Sequence, residues 1–300
     1  MNKAGRRASV LWLFCAGAAL ASALTIATYN VENYVVADRM VEGHFRQSYP
    51  KPEAEKRALR RVISDLAPDI LTLSEMGPQP YLEEFQRDLR HEGQDFPHAA
   101  LLEAVDAERH VAVLSKVPFK EIRRHADVPI TLFGRRGAVK RGVLEVTFST
   151  TGGDLTLFIV HLKSPRTEHP DDPGGVTQRR LEARAVREVV LGRFPDPAKA
   201  KFIVLGDFNA APADKSLAAL LKRGSLAVGR ILPAVDSRGE GWTYHFRRYE
   251  SYSRIDLLLA SPGLGPLIDG GRAYVFDGPG VGDASDHRPV YVRLKTEPVK

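Results

Sequence analysis

Apolar residues recur along the chain in short runs rich in β-branched and aromatic side chains, and eight of these runs read as strands. They cover residues 24–29, 69–73, 111–114, 142–149, 155–162, 202–205, 255–260 and 290–294. A Thr-Gly-Gly-Asp segment at 151–154 predicts a hairpin joining two of them. Residues 53–66, just after Pro52, and 177–191, with Leu181, Val186, Val189 and Val190 along one stripe, have helical periodicity. Residues 80–89 and 215–221 predict shorter helices. No internal repeat and no biased linker divides the chain. Strands and helices distributed from end to end predict sheets with helices packed outside.

The polar residues fall where these runs stop. Five strands end at, or run into, clusters of Asn, Asp, Glu or His, at 29–33, 73–75, 160–164, 205–209 and 284–287, and a sixth opens on Arg254-Ile255-Asp256. Strand ends are rigid and share one sheet edge, so sheet proteins commonly build chemistry there. Glu75 closes a buried-looking strand, where a carboxylate is costly unless paired or bound to a cation; a cap or salt bridge for the next element is the plain alternative. Asp207 and Asn209 are two apart and point the same way in extended chain, unless they merely form an Asx-turn. Zinc would need converging nitrogen or sulfur donors, which the spacing does not supply.

Composition adjusts this reading. The chain has 300 residues, 43% of them hydrophobic and 27% charged, which excludes disorder, collagen and coiled coil as the main state. Residues 1–23 read as a secretory signal: Lys3, Arg6 and Arg7, an apolar stretch from Val10 to Leu20, and Ala21-Ser22-Ala23 as a cleavage site. The apolar stretch is short for a membrane anchor. Its removal takes three basic residues and no acidic one, so the formal charge falls from +6 to +3. It also takes Cys15, the single cysteine, leaving no disulfide, thiolate metal site or cysteine nucleophile. Export to a secreted or periplasmic location, a single domain over 24–300 and a monomer are the expectations.

Eight pieces, taken in order, resemble the endonuclease/exonuclease/phosphatase superfamily of metal-dependent phosphoesterases: TYNVEN at 28–33, PDILTLSEM at 68–76, VAVLSK at 111–116, RGVLEV at 141–146, VHLKS at 160–164, GDFNAAP at 206–212, RIDLLLAS at 254–261 and SDHRPV at 285–290. The resemblance spans nearly all of the chain after residue 23 and implies a four-layered α/β sandwich, two packed mixed β-sheets flanked by helices. It implies that Glu75, with Asn30 and Asp286, holds Mg²⁺ or Mn²⁺. Asp207 is the implied activator of the attacking water, and Asn209 holds that Asp and contacts the phosphate. His287, oriented by Asp256, is the implied cation beside the transition state, and His161 binds phosphate or protonates the leaving oxygen. Glu103 is a candidate partner for His161, and Arg141 either lines the substrate groove or bridges to an acid.

Within such a family a nuclease acting on DNA or RNA is the first expectation, from family frequency and the clusters Arg123-Arg124, Arg135-Arg136-Lys140, Arg179-Arg180 and Arg247-Arg248. A sphingomyelinase-like phospholipid phosphodiesterase comes second, weakened because lipid-acting relatives often present aromatic hairpins and Trp242 is the one tryptophan outside the signal. A phosphatase of a small molecule comes third. A non-catalytic binding module of the same fold is the remote alternative.

Overall fold

The computed structural model describes residues 23–167 and 169–295. Apart from Ala23, the predicted export signal lies outside the described residues. All eight predicted runs are strands, and several continue past their apolar part into the polar cluster, as in Leu24–Tyr34, Ile70–Met76 and Phe202–Asp207. Ladder hydrogen bonds come from the backbone, so pairing does not stop where apolar side chains do. The long helices span Glu53–Leu66, Gln79–His91 and Val176–Arg193. The predicted helix at 215–221 splits into a 3₁₀ turn, Lys215–Leu217, capped by Asp214 through the Ser216 N–H, and one α turn, Ala218–Leu221.

Two sheets form the centre. One has seven strands in the order Ala234–Val235, Ala273–Val275, Val290–Leu294, Leu24–Tyr34, Ile70–Met76, His110–Ser115 and His98–Leu102. The other has six, Arg230–Ile231, Asp256–Ala260, Phe202–Asp207, Gly153–His161, Val143–Thr150 and Phe119–His125. Alternation along each strand divides the core. Ile26 and Ile70 meet Leu157 and Ile159 between the sheets, whereas their neighbours Ala27 and Leu71 pack outward with Leu59 and Phe85 of two helices. On the other outer face Phe158 and Val160 meet Val186 and Val190 of Val176–Arg193. Helices, sheet, sheet and helix thus make the four expected layers. Three of the four edge strands carry little apolar signal, Phe119–His125 being charged and Arg230–Ile231 and Ala234–Val235 only two residues each, which is why the sequence pattern passes over them.

Each sheet contains one central parallel pair, joined by a crossover that includes a helix. Leu24–Tyr34 runs parallel to Ile70–Met76, and Gly153–His161 to Phe202–Asp207. The antiparallel strands Asp256–Ala260 and Val290–Leu294 begin at the edge where those pairs finish. All the polar clusters therefore reach the same side of the sandwich.

A buried ion pair fastens that side. Arg288 donates to Asp236 at 2.9 Å and to the Trp242 carbonyl at 3.0 Å, and its guanidinium carbon lies 3.4 Å from the Trp242 ring centroid. Burial works to raise the Asp236 pKa, but bonds from Arg288 and from the backbone of Glu240 and Arg238 outweigh it and hold it at about 2. Asp236→Asn is expected to cost about 3 kcal/mol at neutral pH, as for one partner removed from a buried pair. Because the folded pKa is depressed, this stabilisation is full above the unfolded pKa and is lost as pH falls toward 2. Denaturant titrations of both proteins should converge over that acid range; a gap independent of pH contradicts the pairing.

Candidate active site

The seven-stranded sheet delivers Asn30 and Glu75. Pairing between their strands shifts after Asn30, and Glu32, Asn33 and Glu75 all take left-handed backbone, with φ of 47°, 51° and 60°. Such conformations cost non-glycine residues of order 1 kcal/mol or more and persist where surrounding contacts fix them. Here the Asn33 N–H donates to Glu75 Oε2 at 3.0 Å, and the Arg109 guanidinium to Asn33 Oδ1 at 2.6 Å. The distortion turns the Glu75 carboxylate out of the strand and into the cleft.

The six-stranded sheet delivers His161, Asp207 and Asp256 side by side, since His161 pairs with Asp207 and Asp207 with Asp256. Gly206 has φ of 139°, and a Cβ there would lie 1.9 Å from the Val160 carbonyl oxygen, so the strand before Asp207 admits no side chain. Asp207 Oδ1 accepts the Asn209 N–H at 2.8 Å, and Oδ2 accepts the Asn30 side-chain amide at 3.0 Å across the two sheets. Asn209 also takes left-handed backbone and donates to the Leu162 carbonyl at 3.0 Å.

The segment before Val290–Leu294 brings Asp286 and His287. His287 Nδ1 lies 2.8 Å from Asp256 Oδ2, and its Nε2 lies 4.0 Å from Asp207 and 3.9 Å from Asp286. Ser285 donates to the Asn30 carbonyl, and Glu32 accepts the Asp286 N–H. Thr243 Oγ1 accepts the Ile255 and Asp256 N–H groups. Ser285, Glu32 and Thr243 went unassigned in the sequence reading; the first two stand inside the quoted motifs, but Thr243 has no signal beyond its neighbour Trp242.

Of the ten residues singled out from the sequence, Glu75, Arg141, His161, Asp207, Asn209, Asp286 and His287 line one cleft of about 630 Å³, with Asn30 and Asp256 bonded directly behind Asp207 and His287. Asn30, His161, Asp207, Asp256, His287 and Arg141 are buried, while Glu75, Asn209 and Asp286 are half-buried in its wall. Glu103 does not reach His161. The carboxylate in range of that ring is Asp207, at 3.5 Å from Nε2, and Glu103 acts instead on His110. Arg141 pairs with Asp106 at 3.0 Å and also lines the cleft beside Arg109, Lys140 and Lys163. Of the basic clusters, only Lys140 reaches the cleft. Arg179 supports the loop after His161 through the Lys163 carbonyl, and Arg123 pairs with Glu121.

Burial sets the protonation pattern. Desolvation first, and then the neighbouring Asp256, push Asp207 up to about 7. Asp286 is likewise pushed up to about 7 by burial, with Glu32 and Glu75 adding to it. Burial opposes the charged form of His287, but Asp256, Asp286 and Asp207 outweigh it and hold the ring well above the usual imidazole value. His161 goes the other way, pushed well below by burial and then by Arg141, His287 and Arg109. The two imidazoles are thus pushed in opposite directions, His287 toward the charged ring and His161 toward the neutral one.

Asp207, Asp256 and His287 also bring ligand-type atoms within 4.8 Å of one another. His287 Nδ1 is already committed to Asp256 there, whereas Glu75 and Asp286 line the cleft, with Glu32 and Glu75 acting on Asp286. Hard oxygen donors in such surroundings fit a divalent cation of the magnesium type.

Comparison with solved structures finds the same architecture. Beta toxin of Staphylococcus aureus, in a doubly substituted form with bound magnesium ions, superposes with a TM-score of 0.62 at 15% identity, over 91% of this chain and 100% of that one. Sphingomyelinase C from Streptomyces griseocarneus gives 0.60 at 15% identity, over 91% and 99%. The human nocturnin catalytic domain gives 0.60 at 16% identity, over 91% and 94%. No curated protein matches by sequence. The sequence pattern of the Endonuclease/Exonuclease/phosphatase family matches residues 27–287, a range that begins in the first strand and ends on His287. The chain belongs to that family, whose members are metal-dependent hydrolases of phosphoester bonds.

Proposed function

We propose that the protein is an exported, Mg²⁺- or Mn²⁺-dependent phosphodiesterase that acts on nucleic acid as a single-domain monomer. The observation that carries this reading is the buried row His161, Asp207 and Asp256 with His287 above it, opening into a cleft walled by Arg109, Lys140, Arg141 and Lys163. Those cations face a substrate whose charge is carried by phosphates. No helix among the described residues is long and apolar enough to cross a membrane.

In this reading a water beside Asp207 attacks phosphorus in line with the leaving oxygen, and Asp207 takes its proton. Asn30 and the Asn209 backbone hold the two Asp207 oxygens, fixing the direction of the lone pair that faces the water. His287, kept cationic by Asp256, stabilises the charge that accumulates on the phosphoryl oxygens. His161, whose pKa burial and Arg141 push down, lies beside Asp207 and is placed to donate a hydrogen bond to a phosphate oxygen. Glu75 and Asp286, with the Asn30 carbonyl, are the residues assigned to the cation. When bound, it supplies positive charge to the phosphate and the leaving oxygen.

A second reading has one observation in its favour. Trp242 is not an isolated aromatic: it packs at 4.9 Å on Tyr252 of the hairpin Tyr244–Phe246/Ser251–Ser253, where Tyr249 and Tyr252 are exposed. A phospholipid phosphodiesterase would use such a hairpin at a membrane surface.

Asp207→Asn and His287→Ala are each expected to lower kcat on a plasmid or oligonucleotide substrate by at least a thousandfold with an unchanged far-UV spectrum; wild-type-like turnover in either removes the assignment. Asp256→Asn should lower kcat less, by about a hundredfold, because His287 keeps its position but loses its charge partner. Chelation should abolish hydrolysis reversibly, and Glu75→Gln should raise the Mg²⁺ concentration for half-maximal activity at least tenfold, read by metal titration. A variant with an unaltered metal requirement places the cation elsewhere.

A further inference from the structure

Residues 242–253 read Trp-Thr-Tyr-His-Phe-Arg-Arg-Tyr-Glu-Ser-Tyr-Ser, an aromatic at nearly every second or third position with two arginines at the tip. Folded as a hairpin, the pleat sends these side chains to two faces. One face is covered by its own members: His245 stacks on Tyr252 at 4.4 Å and 7°, Tyr252 meets Trp242, and Glu250 contacts His245 Nε2 at 3.1 Å. The other face carries Tyr244 and Phe246, near-parallel at 17° with centroids 6.3 Å apart, and both line the cleft. Tyr249 meets the outer edge of Phe246 at 5.3 Å, and the Tyr244 ring lies 4.7 Å from the His287 ring. A line of aromatic rings therefore runs from His287 out to solvent.

That line is fixed to the reacting centre. Tyr244 forms a β-bridge with His287, the His245 N–H donates to the Asp286 carbonyl at 2.8 Å, and the Arg288 N–H to the Thr243 carbonyl at 2.7 Å. The order of strands places the other cleft wall. Beside Asp207 comes His161, and the next strand, Val143–Thr150, follows directly on Lys140-Arg141. Asp207 thus separates an aromatic side from a cationic side. Arg141 is 6% exposed, and its Nη1 has no hydrogen-bond partner among the described residues although its Nε faces Asp106. A buried guanidinium N–H without an acceptor is costly, and a phosphate oxygen supplies one.

We propose that the cleft takes single-stranded nucleic acid, with an unpaired base stacked on Tyr244 and Phe246 and a phosphate next to the scissile one held by Arg141. The proposal rests on the nuclease reading and narrows it. A base inside a duplex has both faces covered by its neighbours and must leave the stack to reach such a platform, whereas an unpaired base has a face to offer. Stacking tolerates any base, so the platform selects strandedness rather than sequence.

The test uses a labelled single-stranded oligonucleotide, its duplex, and a set of single strands with one abasic residue at successive positions, all with Mg²⁺. The single strand is expected to be cut with kcat/KM at least tenfold above the duplex, and an abasic residue should suppress cutting at one neighbouring phosphate and not at the phosphate on its other side. Phe246→Ala should raise KM about tenfold and lower kcat much less, with Phe246→Tyr restoring KM. Tyr249→Ala, 68% exposed and therefore safe for folding, should raise KM in the same direction by a smaller factor. Arg141→Met should raise KM for the oligonucleotide. Equal cutting of duplex and single strand, or an abasic residue tolerated on both sides, overturns the platform and leaves the nuclease reading intact. Hydrolysis of sphingomyelin vesicles with no cutting of any nucleic acid overturns both. The abasic series uses the unaltered protein and decides the matter even if Phe246→Ala fails to fold.

Discussion

The structure gathers carboxylates that repel one another at a single buried sheet edge. Asp207 and Asp256 are register partners on adjacent strands, with Asp286 and Glu75 close by, and burial there favours the uncharged form of Asp207 and Asp286. The cationic His287, held between three of these acids, answers part of that charge, and the amides of Asn30 and Asn209 answer part of the hydrogen bonding. Arg109, Lys140, Arg141 and Lys163 line the same cleft, so acids and bases face each other across it at close quarters.

Much of the supporting structure exists to hold that edge. Glu32, Asn33, Glu75 and Asn209 depart from ordinary backbone within a few residues of the cleft, each tied by a bond to another member of the group. Two bonds join distant parts of the chain: Asn30 donates to Asp207 across the sheets, and the Asp286 N–H donates to Glu32. The core between the sheets, made of side chains such as Ile26, Val113, Leu157 and Leu205, sets the separation at which the Asn30–Asp207 bond closes. Packing and polar geometry are consequently one constraint rather than two.

Sheets with helices outside were legible in the apolar runs, whose neighbours such as Leu157 and Phe158 serve the inner and outer cores in turn, while the four layers followed from the resemblance of the motifs. The polar clusters were legible because they interrupt those runs. The hairpin at 244–253 was not, since its strands are three residues each and its aromatics are half-buried or exposed, leaving no apolar run to read. Glu103 was misplaced for a related reason: proximity to a strand in sequence does not reveal which neighbour the sheet order supplies, and that neighbour is Asp207. Left-handed backbone at Glu75 carries no residue signature, because glycine, the usual mark, is absent there.

The pairing of Leu24 with Leu294 has a bearing on when the protein becomes active. The first strand of the seven-stranded sheet lies between one strand that follows within fifty residues and another at the far end of the chain. Contacts between such distant segments form late, because a long loop must close before they repay it. Asn30 sits on that first strand and His287 just before the last, so Asp207 lacks both its amide donor and its facing imidazolium until the two ends meet. Asn30, Asp207 and His287 thus come together only once Leu24–Tyr34 and Val290–Leu294 have paired.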